Sequence, residues 1–302
     1  MKLAMKYDLH CHSTVSDGVL TPAELMRHAA SRRIDVLALT DHDTVDGLAL
    51  ARQTIDADQL PLQLVAGVEI STAWHDFEIH VVGLAIQDQC PQLLQRLQSQ
   101  QERRLERARE MARRLTKHQV PDCFDAVLKL ADGGAVTRNH FARHLVSIGK
   151  AANVGQVFKH YLARGKAGYV PNNWVDMAQA VQWIHDAGGI AVLAHPLKYN
   201  LSGKWLRRLA TEFREAGGDA IEVVSCQMTP VQKREVWALA QPLGLVASQG
   251  SDFHQVTTWN DLGRGLYMTD DINTVWQAFA EKFPQQSLRT QDPPPQAPLS
   301  EV

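Results

Sequence analysis

The sequence lacks the features that would place the protein in a membrane or in an oxidising compartment. Its 4 cysteines, Cys11, Cys90, Cys123 and Cys226, are far apart and form no C-x-x-C pair. This spacing argues against a disulfide framework and against a structural cysteine–zinc site. The chain also has no long apolar run, and its first residues lack the apolar segment of a signal peptide. We therefore expect a cytoplasmic protein with free thiols.

Neither sign of charge is in excess. The chain has 31 Lys and Arg against 33 Asp and Glu, a formal charge of -2. This balance argues against a protein that coats nucleic acid, although it allows a local basic groove. The sequence contains no internal repeat, and Gly250-Ser251-Asp252 does not complete the G-x-S-x-G motif of serine esterases. A serine nucleophile of that type is therefore excluded.

Histidine is the distinctive residue, with 13 copies. His10 and His12 are two residues apart, so on an extended strand they project to one face while Cys11 projects away. Two neutral imidazoles on one face can begin a metal site, because divalent cations bind ring nitrogens at about 2.1 Å. The simpler alternative is a pair of polar residues at a strand end.

Short apolar segments recur along the chain, and most are followed by a side chain that can bind a metal. They are interpreted as strands that alternate with helices, and 34–40 is interpreted as a buried strand of a parallel sheet. The first helix is predicted to begin with a capping box at Thr21 and Glu24. The segments cover 34–40, 62–69, 78–84, 190–196, 219–224 and 244–254. In a β/α barrel the carboxyl ends of such strands meet. The six or seven strands predict an α/β fold with an incomplete or distorted barrel.

Residues 91–175 interrupt this alternation. Helices are predicted at 93–118, 136–148 and 152–163, and no strand is predicted before residue 190. We interpret 91–175 as a helical insertion that covers the strand ends as a substrate lid; the alternative is additional packing. The barrel would then comprise 1–90 and 176–290. The proline-rich end at 291–302 is predicted to be a disordered tail.

Nine histidine and acidic residues form a candidate metal centre. A buried histidine at His80 or turn chemistry at Asp17 would be simpler roles, but a barrel would bring these residues together. Nine nitrogen and oxygen ligands exceed the four that one ion needs, so two or three divalent ions are predicted, with Glu69 as a bridge. Such ions would generate an attacking hydroxide and neutralise charge on a phosphoryl group. The nine residues are His10, His12, Asp17, His42, Glu69, His80, His195, Asp252 and His254.

Five segments carry a family resemblance: DLHCHS at 8–13, TDHD at 40–43, GVE at 67–69, AHP at 194–196 and GSDFH at 250–254. In this order they resemble the motifs of PHP (polymerase and histidinol phosphatase) domains, within the amidohydrolase-related superfamily. The resemblance implies a distorted (β/α)7 barrel with a trinuclear metal site. It implies that the three metals are held by His10, His12, Glu69 and Asp252, by Asp17, His42 and His254, and by Glu69, His80 and His195.

The resemblance also bears on metal identity. Many relatives have histidine where this chain has Asp17, and the added oxygen favours manganese over zinc or iron, which stay as alternatives. Asp41, beside His42, is expected to support the ligands from behind.

Two segments of the insertion resemble a narrower PHP branch: VTRNHFA at 136–142 and YLARGKAGYVP at 161–171. This branch comprises 3′,5′-nucleotide bisphosphate phosphatases, some of which also act as 5′→3′ exoribonucleases on short RNA (the RNase AM type). The resemblance implies hydrolysis of the 3′-phosphate of a nucleoside 3′,5′-bisphosphate to a nucleoside 5′-monophosphate and phosphate. Arg138, His140 and Lys166 would hold the phosphates, with His140 as candidate general acid. The simpler alternative is a solvated basic helix face.

Other activities stay open on the sequence alone. A histidinol phosphatase or another small phosphomonoesterase would use the same centre. A non-catalytic regulatory PHP module would usually have lost ligands, whereas this chain keeps a metal-capable residue at every motif position. Hydrolysis of a C–N bond is disfavoured by the basic insertion. The expected partners are a nucleotide or short RNA substrate and divalent ions, with no membrane and no obligate protein partner.

Overall fold

A computed structural model of the protein describes residues 5–121, 123–268 and 272–277; the tail predicted at 291–302 lies outside them. Seven strands hydrogen-bond in the order β1-β2-β3-β4-β6-β7-β8, and β5 pairs with β3 beside this path. The strands are β1 (Tyr7–Asp8), β2 (Val36–Leu39), β3 (Gln63–Trp74), β4 (Phe77–Leu84), β5 (Val175–Asp176), β6 (Ile190–Leu193), β7 (Ala220–Ser225) and β8 (Val246–Gly250).

The two ends of this sheet meet and nearly close it. The Leu9 amide donates to the Gln249 carbonyl at 3.0 Å, and the Asp252 amide donates to the His10 carbonyl at 2.9 Å. These bonds place the segment after β1 beside β8. The predicted distorted seven-stranded barrel is confirmed.

The distortion has one main source, a hairpin in place of a helical crossover. β3 and β4 pair antiparallel, with Ser71 opposite His80 and Glu69 opposite Val82, and β4 is also antiparallel to β6. The beginning of β4 therefore lies at the same end of the barrel as the carboxyl ends of the parallel strands. His80, near the start of its strand, faces the same space as residues that follow other strands.

Among the described residues, five complete α-helices follow strands of the sheet: α1 (Pro22–Ser31), α2 (Gly47–Ala57), α7 (Met177–Asp186), α8 (Gly203–Glu215) and α9 (Pro230–Ala240). The predicted capping box of α1 is present, because Thr21 and Glu24 exchange side-chain and backbone hydrogen bonds. Alternate strand residues enter different apolar clusters: Leu37 and Leu39 pack with the helices, whereas Val36 and Ala38 join a cluster built mainly of strand residues. This alternation is what a strand covered on both faces requires.

Between β4 and β5 lie four further α-helices and a π-helical turn. They are α3 (Pro91–Lys117), α4 (Phe124–Ala131), α5 (Arg138–Ser147), α6 (Val154–Val157) and the π-helical turn Phe158–Leu162. Their apolar side chains form a cluster of their own, around Leu115, Val127, Phe141 and Leu145. α4 is an addition to the three predicted helices; with 8 residues it is too short to show a clear period. The domain boundaries and the role as a lid stay predictions.

No helix in the described part of the chain has both the length and the apolar character needed to cross a bilayer.

Candidate metal centre

The nine predicted ligands converge at one end of the barrel. The ligand atoms of eight of them, all except His195, form three overlapping groups, and within each group all atoms lie within 4.8 Å of one another. Each group contains both histidine and carboxylate ligands. His12, His42 and Glu69 each belong to two groups, so the groups are adjacent sites that share ligands. The groups are His12, Asp17, His42 and His254; His10, His12, Glu69 and Asp252; and His42, Glu69 and His80.

Glu69 lies at the centre of the groups. Its Oε2 is 3.3 Å from His10 Nε2 and 3.2 Å from His12 Nε2. Its Oε1 is 2.9 Å from both His80 Nδ1 and His195 Nε2, which connects His195 to the third group. Each carboxylate oxygen therefore faces a different set of rings. This is the arrangement that a bridging carboxylate needs.

Several buried polar atoms of the centre fit bound cations. Asp17 Oδ1, His42 Nδ1 and Glu69 Oε2 have no hydrogen-bond partner among the described residues. His42 Nδ1 and Glu69 Oε2 lie 3.0 Å apart without hydrogen-bonding to each other. Buried polar atoms in native proteins nearly always have a partner, so these atoms fit a divalent cation bound between them. The ligands are all nitrogen and oxygen, which suits zinc, manganese or iron.

The electrostatics of the centre favour positive charge. Burial alone would raise the pKa of Glu69, but the nearby rings of His10, His80 and His42 hold that pKa well below its ordinary value. Burial would lower the pKa of His12, yet Asp252 and Glu69 raise it to about 10. The carboxylates thus stay ionised and create the field in which a divalent cation is stable.

Backbone geometry turns some of the ligands into the centre. His195, Asp252 and Asp43, the neighbour of His42, have φ values of 27°, 50° and 51°. Non-glycine residues in this region cost on the order of 1–3 kcal/mol each and cluster at functional sites. These positive φ values lie in the turns that follow β2, β6 and β8. Two of them are at ligands and the third is at the residue next to His42.

Glu222 contacts two of the ligands from behind, whereas Asp41 approaches His12 through Ser16, whose Oγ lies 3.4 Å from His12 Nδ1. Glu222 Oε1 lies 2.6 Å from His10 Nδ1, and its Oε2 accepts a 2.6 Å hydrogen bond from the His195 amide. Asp41, expected in this role, accepts hydrogen bonds from the Ser13 amide at 2.7 Å and from Ser16 Oγ at 2.6 Å. Such contacts fix the orientation of a metal-binding ring. Glu222 was not predicted, although an acid inside the apolar strand 219–224 could have indicated it.

A cavity of about 560 Å³ opens over the metal centre. Side chains of the insertion form part of its wall, among them Arg107, Arg138 and Phe158. Arg138 Nη2 is 3.2 Å from Glu78 Oε2, and its guanidinium lies 5.9 Å from the centre of the Phe158 ring. The structure thus brings the predicted phosphate ligand Arg138 to the mouth of the metal centre.

The other two predicted phosphate ligands lie elsewhere. His140 is buried, and its Nδ1 accepts a 3.1 Å hydrogen bond from the Thr137 amide as part of the capping box of α5. Burial lowers its pKa to about 4, so the ring is neutral near pH 7, unlike a protonated general acid. Lys166 is exposed and does not line the cavity. Phosphate binding by either residue stays a prediction.

Arg107 and Thr137, which were not predicted from the sequence, also line the cavity, together with Lys198, a weaker candidate for phosphate binding. Arg107 Nη2 is 3.2 Å from Glu78 Oε2, so two guanidinium groups converge on one carboxylate. Thr137 Oγ1 donates a 2.8 Å hydrogen bond to Asp17 Oδ2, and Lys198 donates to Asp252. Arg107 could have been found, because it falls among Leu97, Met111 and Leu115 on the buried face of α3, where Gln100 and Arg104 are the other polar residues. The contacts of Thr137 and Lys198 depend on tertiary structure.

Comparisons with known proteins agree with this geometry. The 5′-3′ exoribonuclease Rnm of Escherichia coli (strain K12) is 51% identical over 278 residues, which are 92% of this chain and 95% of the relative. The 3′,5′-nucleoside bisphosphate phosphatase of Chromobacterium violaceum is 40% identical over 286 residues, covering 94% of this chain and 99% of the relative.

A solved structure shares the fold as well. An amidohydrolase from Chromobacterium violaceum with bound sulfate superposes with a TM-score of 0.86 at 39% identity, covering 92% of this chain and 96% of that one. The profile of the PHP domain family matches residues 8–189. This chain is a member of the PHP domain family.

Proposed function

We propose that the protein is a metal-dependent phosphoesterase that hydrolyses the 3′-phosphate of nucleoside 3′,5′-bisphosphates. We include the first 3′,5′-linkage of short RNA with a 5′-phosphate as a second substrate. The observation that carries the proposal is a cluster of nine nitrogen and oxygen ligands, bridged by Glu69, at the floor of a cavity that also contains Arg138 and Arg107. The two relatives named above act on these two classes of substrate according to their names.

The assignment of ligands to metals is supported by the three groups, although His12 also lies with the second set and His42 with the third, and His195 joins through its 2.9 Å contact with Glu69. We assign His10, His12, Glu69 and Asp252 to one ion and Asp17, His42 and His254 to a second. We assign Glu69, His80 and His195 to a third, with Mn²⁺ favoured because Asp17 adds an oxygen ligand. When bound, such ions lower the pKa of a water and offset the charge of the phosphoryl group.

The insertion supplies the charge that a second phosphate would need. Between Asp132 and Asp176 the chain has six Lys and Arg residues and no Asp or Glu. Arg138 and Arg107 both lie 3.2 Å from Glu78 Oε2, so the guanidinium groups are held side by side. A pair of this kind suits the 5′-phosphate, because arginine binds phosphate oxygens in a bidentate manner. The 5′-phosphate would thus be bound by the insertion while the reacting phosphate lies at the metal centre.

One bond breaks in both reactions. Water adds to the phosphorus attached to O3′ of the first nucleotide, the O3′–P bond breaks, and O3′ leaves as a hydroxyl group. A bisphosphate then yields a nucleoside 5′-monophosphate and inorganic phosphate. An RNA yields the same monophosphate and a shorter RNA that again carries a 5′-phosphate. The two substrates therefore differ only in what is attached to the far side of the reacting phosphate.

We further propose a cytoplasmic location, because the substrates are nucleotides or RNA and the described cysteines are free thiols.

The decisive experiment measures phosphate release from adenosine 3′,5′-bisphosphate with Mn²⁺, with and without a chelator. We expect AMP and phosphate in equal amounts, abolished by the chelator and restored by excess metal. Histidinol phosphate serves as the comparison substrate and should be turned over much more slowly. Protein that contains metal by elemental analysis but releases no phosphate from the bisphosphate and no monophosphate from RNA would refute the proposal.

A further inference from the structure

The cavity has a second wall, across the barrel from the insertion. In the strand order β1-β2-β3-β4-β6-β7-β8, closed between β8 and β1, the strands β7 and β8 lie opposite β3. The insertion joins the barrel at β3, where Arg104 contacts Ser71 and β5 pairs with the strand. The loops after β7 and β8 supply Gln227, Gln255, Thr257 and Asn260 to the opposite wall. A substrate whose 5′-phosphate is held by Arg138 would point its 3′ portion toward this wall.

The second wall is polar. Its side chains are amides and a hydroxyl, together with Lys198 from the turn after β6. A free bisphosphate ends at the metal centre and does not reach it. An RNA substrate continues past the reacting phosphate, so its second nucleotide must leave the cavity on this side.

An exposed tryptophan lies in the loop that forms part of the second wall. In the sequence, Trp259 lies between Thr257 and Asn260, which both line the cavity. Trp259 is 69% exposed to solvent. The segment is held firmly. Asn260 Nδ2 donates to the carbonyls of Ser251 and Asp252 at 3.3 and 3.4 Å, and the Asn260 carbonyl accepts from the Thr257 amide at 2.9 Å. The backbone of Trp259 is held as well, because its amide donates a 3.2 Å hydrogen bond to Thr257 Oγ1, and its side chain exposes a large aromatic surface to solvent.

We propose that Trp259 stacks on the base of the second nucleotide of an RNA substrate and so favours RNA over free bisphosphates. The proposal rests on the phosphoesterase function proposed above. Stacking on an aromatic side chain is tolerant of base identity, because every base presents a π-face, and it suits an enzyme that removes successive nucleotides. A solvent-exposed indole also accommodates a chain that continues outward.

The test compares kcat/KM for a 5′-phosphorylated tetraribonucleotide with kcat/KM for adenosine 3′,5′-bisphosphate. We expect Trp259→Ala to lower the ratio of RNA to bisphosphate activity about tenfold, a change of about 1.4 kcal/mol that lies within the range for base–aromatic stacking. Trp259→Phe should retain most of the ratio, because a phenyl ring can still stack. Tyr267→Ala is the matched control, since Tyr267 is 73% exposed but lies outside the segment 255–260 that supplies cavity residues.

A second substrate makes the test specific for the base. A tetraribonucleotide with an abasic second nucleotide should be cut about tenfold more slowly than the intact RNA by the unmodified enzyme, and at nearly the same rate by Trp259→Ala. An unchanged activity ratio in Trp259→Ala, or equal cutting of intact and abasic RNA by the unmodified enzyme, would overturn the proposal. Loss of the proposed function itself gives a different result, because the unmodified enzyme would then act on neither substrate.

Discussion

Arg104 of α3 donates a 2.7 Å hydrogen bond from Nε to Asp43 Oδ2, and its Nη2 forms an ion pair with the same oxygen at 2.6 Å. Both side chains are buried, and Asp43 Oδ1 accepts a 2.9 Å hydrogen bond from the Ser71 amide of β3. The pair therefore connects the helical insertion to the turn that holds His42. The insertion is attached to the metal centre by a buried ion pair.

Breaking this pair should destabilise the protein. We expect Arg104→Met to lower the free energy of unfolding by about 3 kcal/mol or more, because it leaves the Asp43 carboxylate buried without its partner. Denaturant unfolding followed by circular dichroism measures the change. Arg113→Met on the same helix is the control, since Arg113 pairs with Glu110 at the surface, and it should have a much smaller effect. Equal stability of the two variants would contradict the structural role of Arg104.

Removing the bridging carboxylate should empty part of the metal centre. Glu69→Gln leaves one neutral carbonyl oxygen where two charged oxygens face His10, His12, His80 and His195. We expect at least one metal ion per chain to be lost. We also expect kcat to fall more than about a hundredfold, which is a larger loss than the one expected when a residue that only orients a ligand is changed. Elemental analysis and phosphate release measure both quantities.

The control for this variant is His118→Gln, because His118 is an exposed histidine at the end of α3. It should keep full metal content. A Glu69→Gln variant with unchanged metal content and activity would show that Glu69 is not a bridge.

The supporting carboxylate Glu222 should tune metal affinity without being a ligand. We expect Glu222→Gln to weaken metal binding by about 10–100-fold, because His10 loses the charged partner that orients its ring. Metal titration of the chelator-treated protein measures this change, and activity at saturating metal should recover substantially. Glu235→Gln, an exposed acid on α9, serves as the control. Failure to recover at high metal would instead indicate a direct catalytic role.

Arg138 should act on the 5′-phosphate. We expect Arg138→Ala to lower kcat/KM for adenosine 3′,5′-bisphosphate by about 10–100-fold, the usual effect of losing a hydrogen bond to a charged group. Adenosine 3′-monophosphate, which has no 5′-phosphate, should show a much smaller loss. Arg164→Ala is the control, because Arg164 contacts the exposed Asp76 at the surface. An equal loss on both substrates would place Arg138 at the reacting phosphate instead.

Much of the metal centre could be predicted without a structure because its determinants are local. The two-residue spacing of His10 and His12 sends both rings to one side, and their Nε2 atoms lie 3.2 Å apart while Cys11 bonds the Ala38 carbonyl behind them. The capping box at Thr21 likewise depends on four consecutive residues. Side-chain alternation and helix capping act over a few residues, so the sequence alone contains them.

Tertiary structure decided the rest, because those contacts join residues far apart in the chain. His80 reaches the centre only because β4 runs antiparallel to its neighbours, which no local pattern indicates. Glu222 supports His10 across 212 positions of sequence, and α3 brings Arg107 over the strand ends. For His140, the structure adds a contact that the motif did not indicate, because its Nδ1 accepts a hydrogen bond from the Thr137 amide in the cap of α5; phosphate binding by this residue stays a prediction. The sequence by itself determined which chemical groups are present and which way the local ones face, whereas packing decided which of them share the cavity.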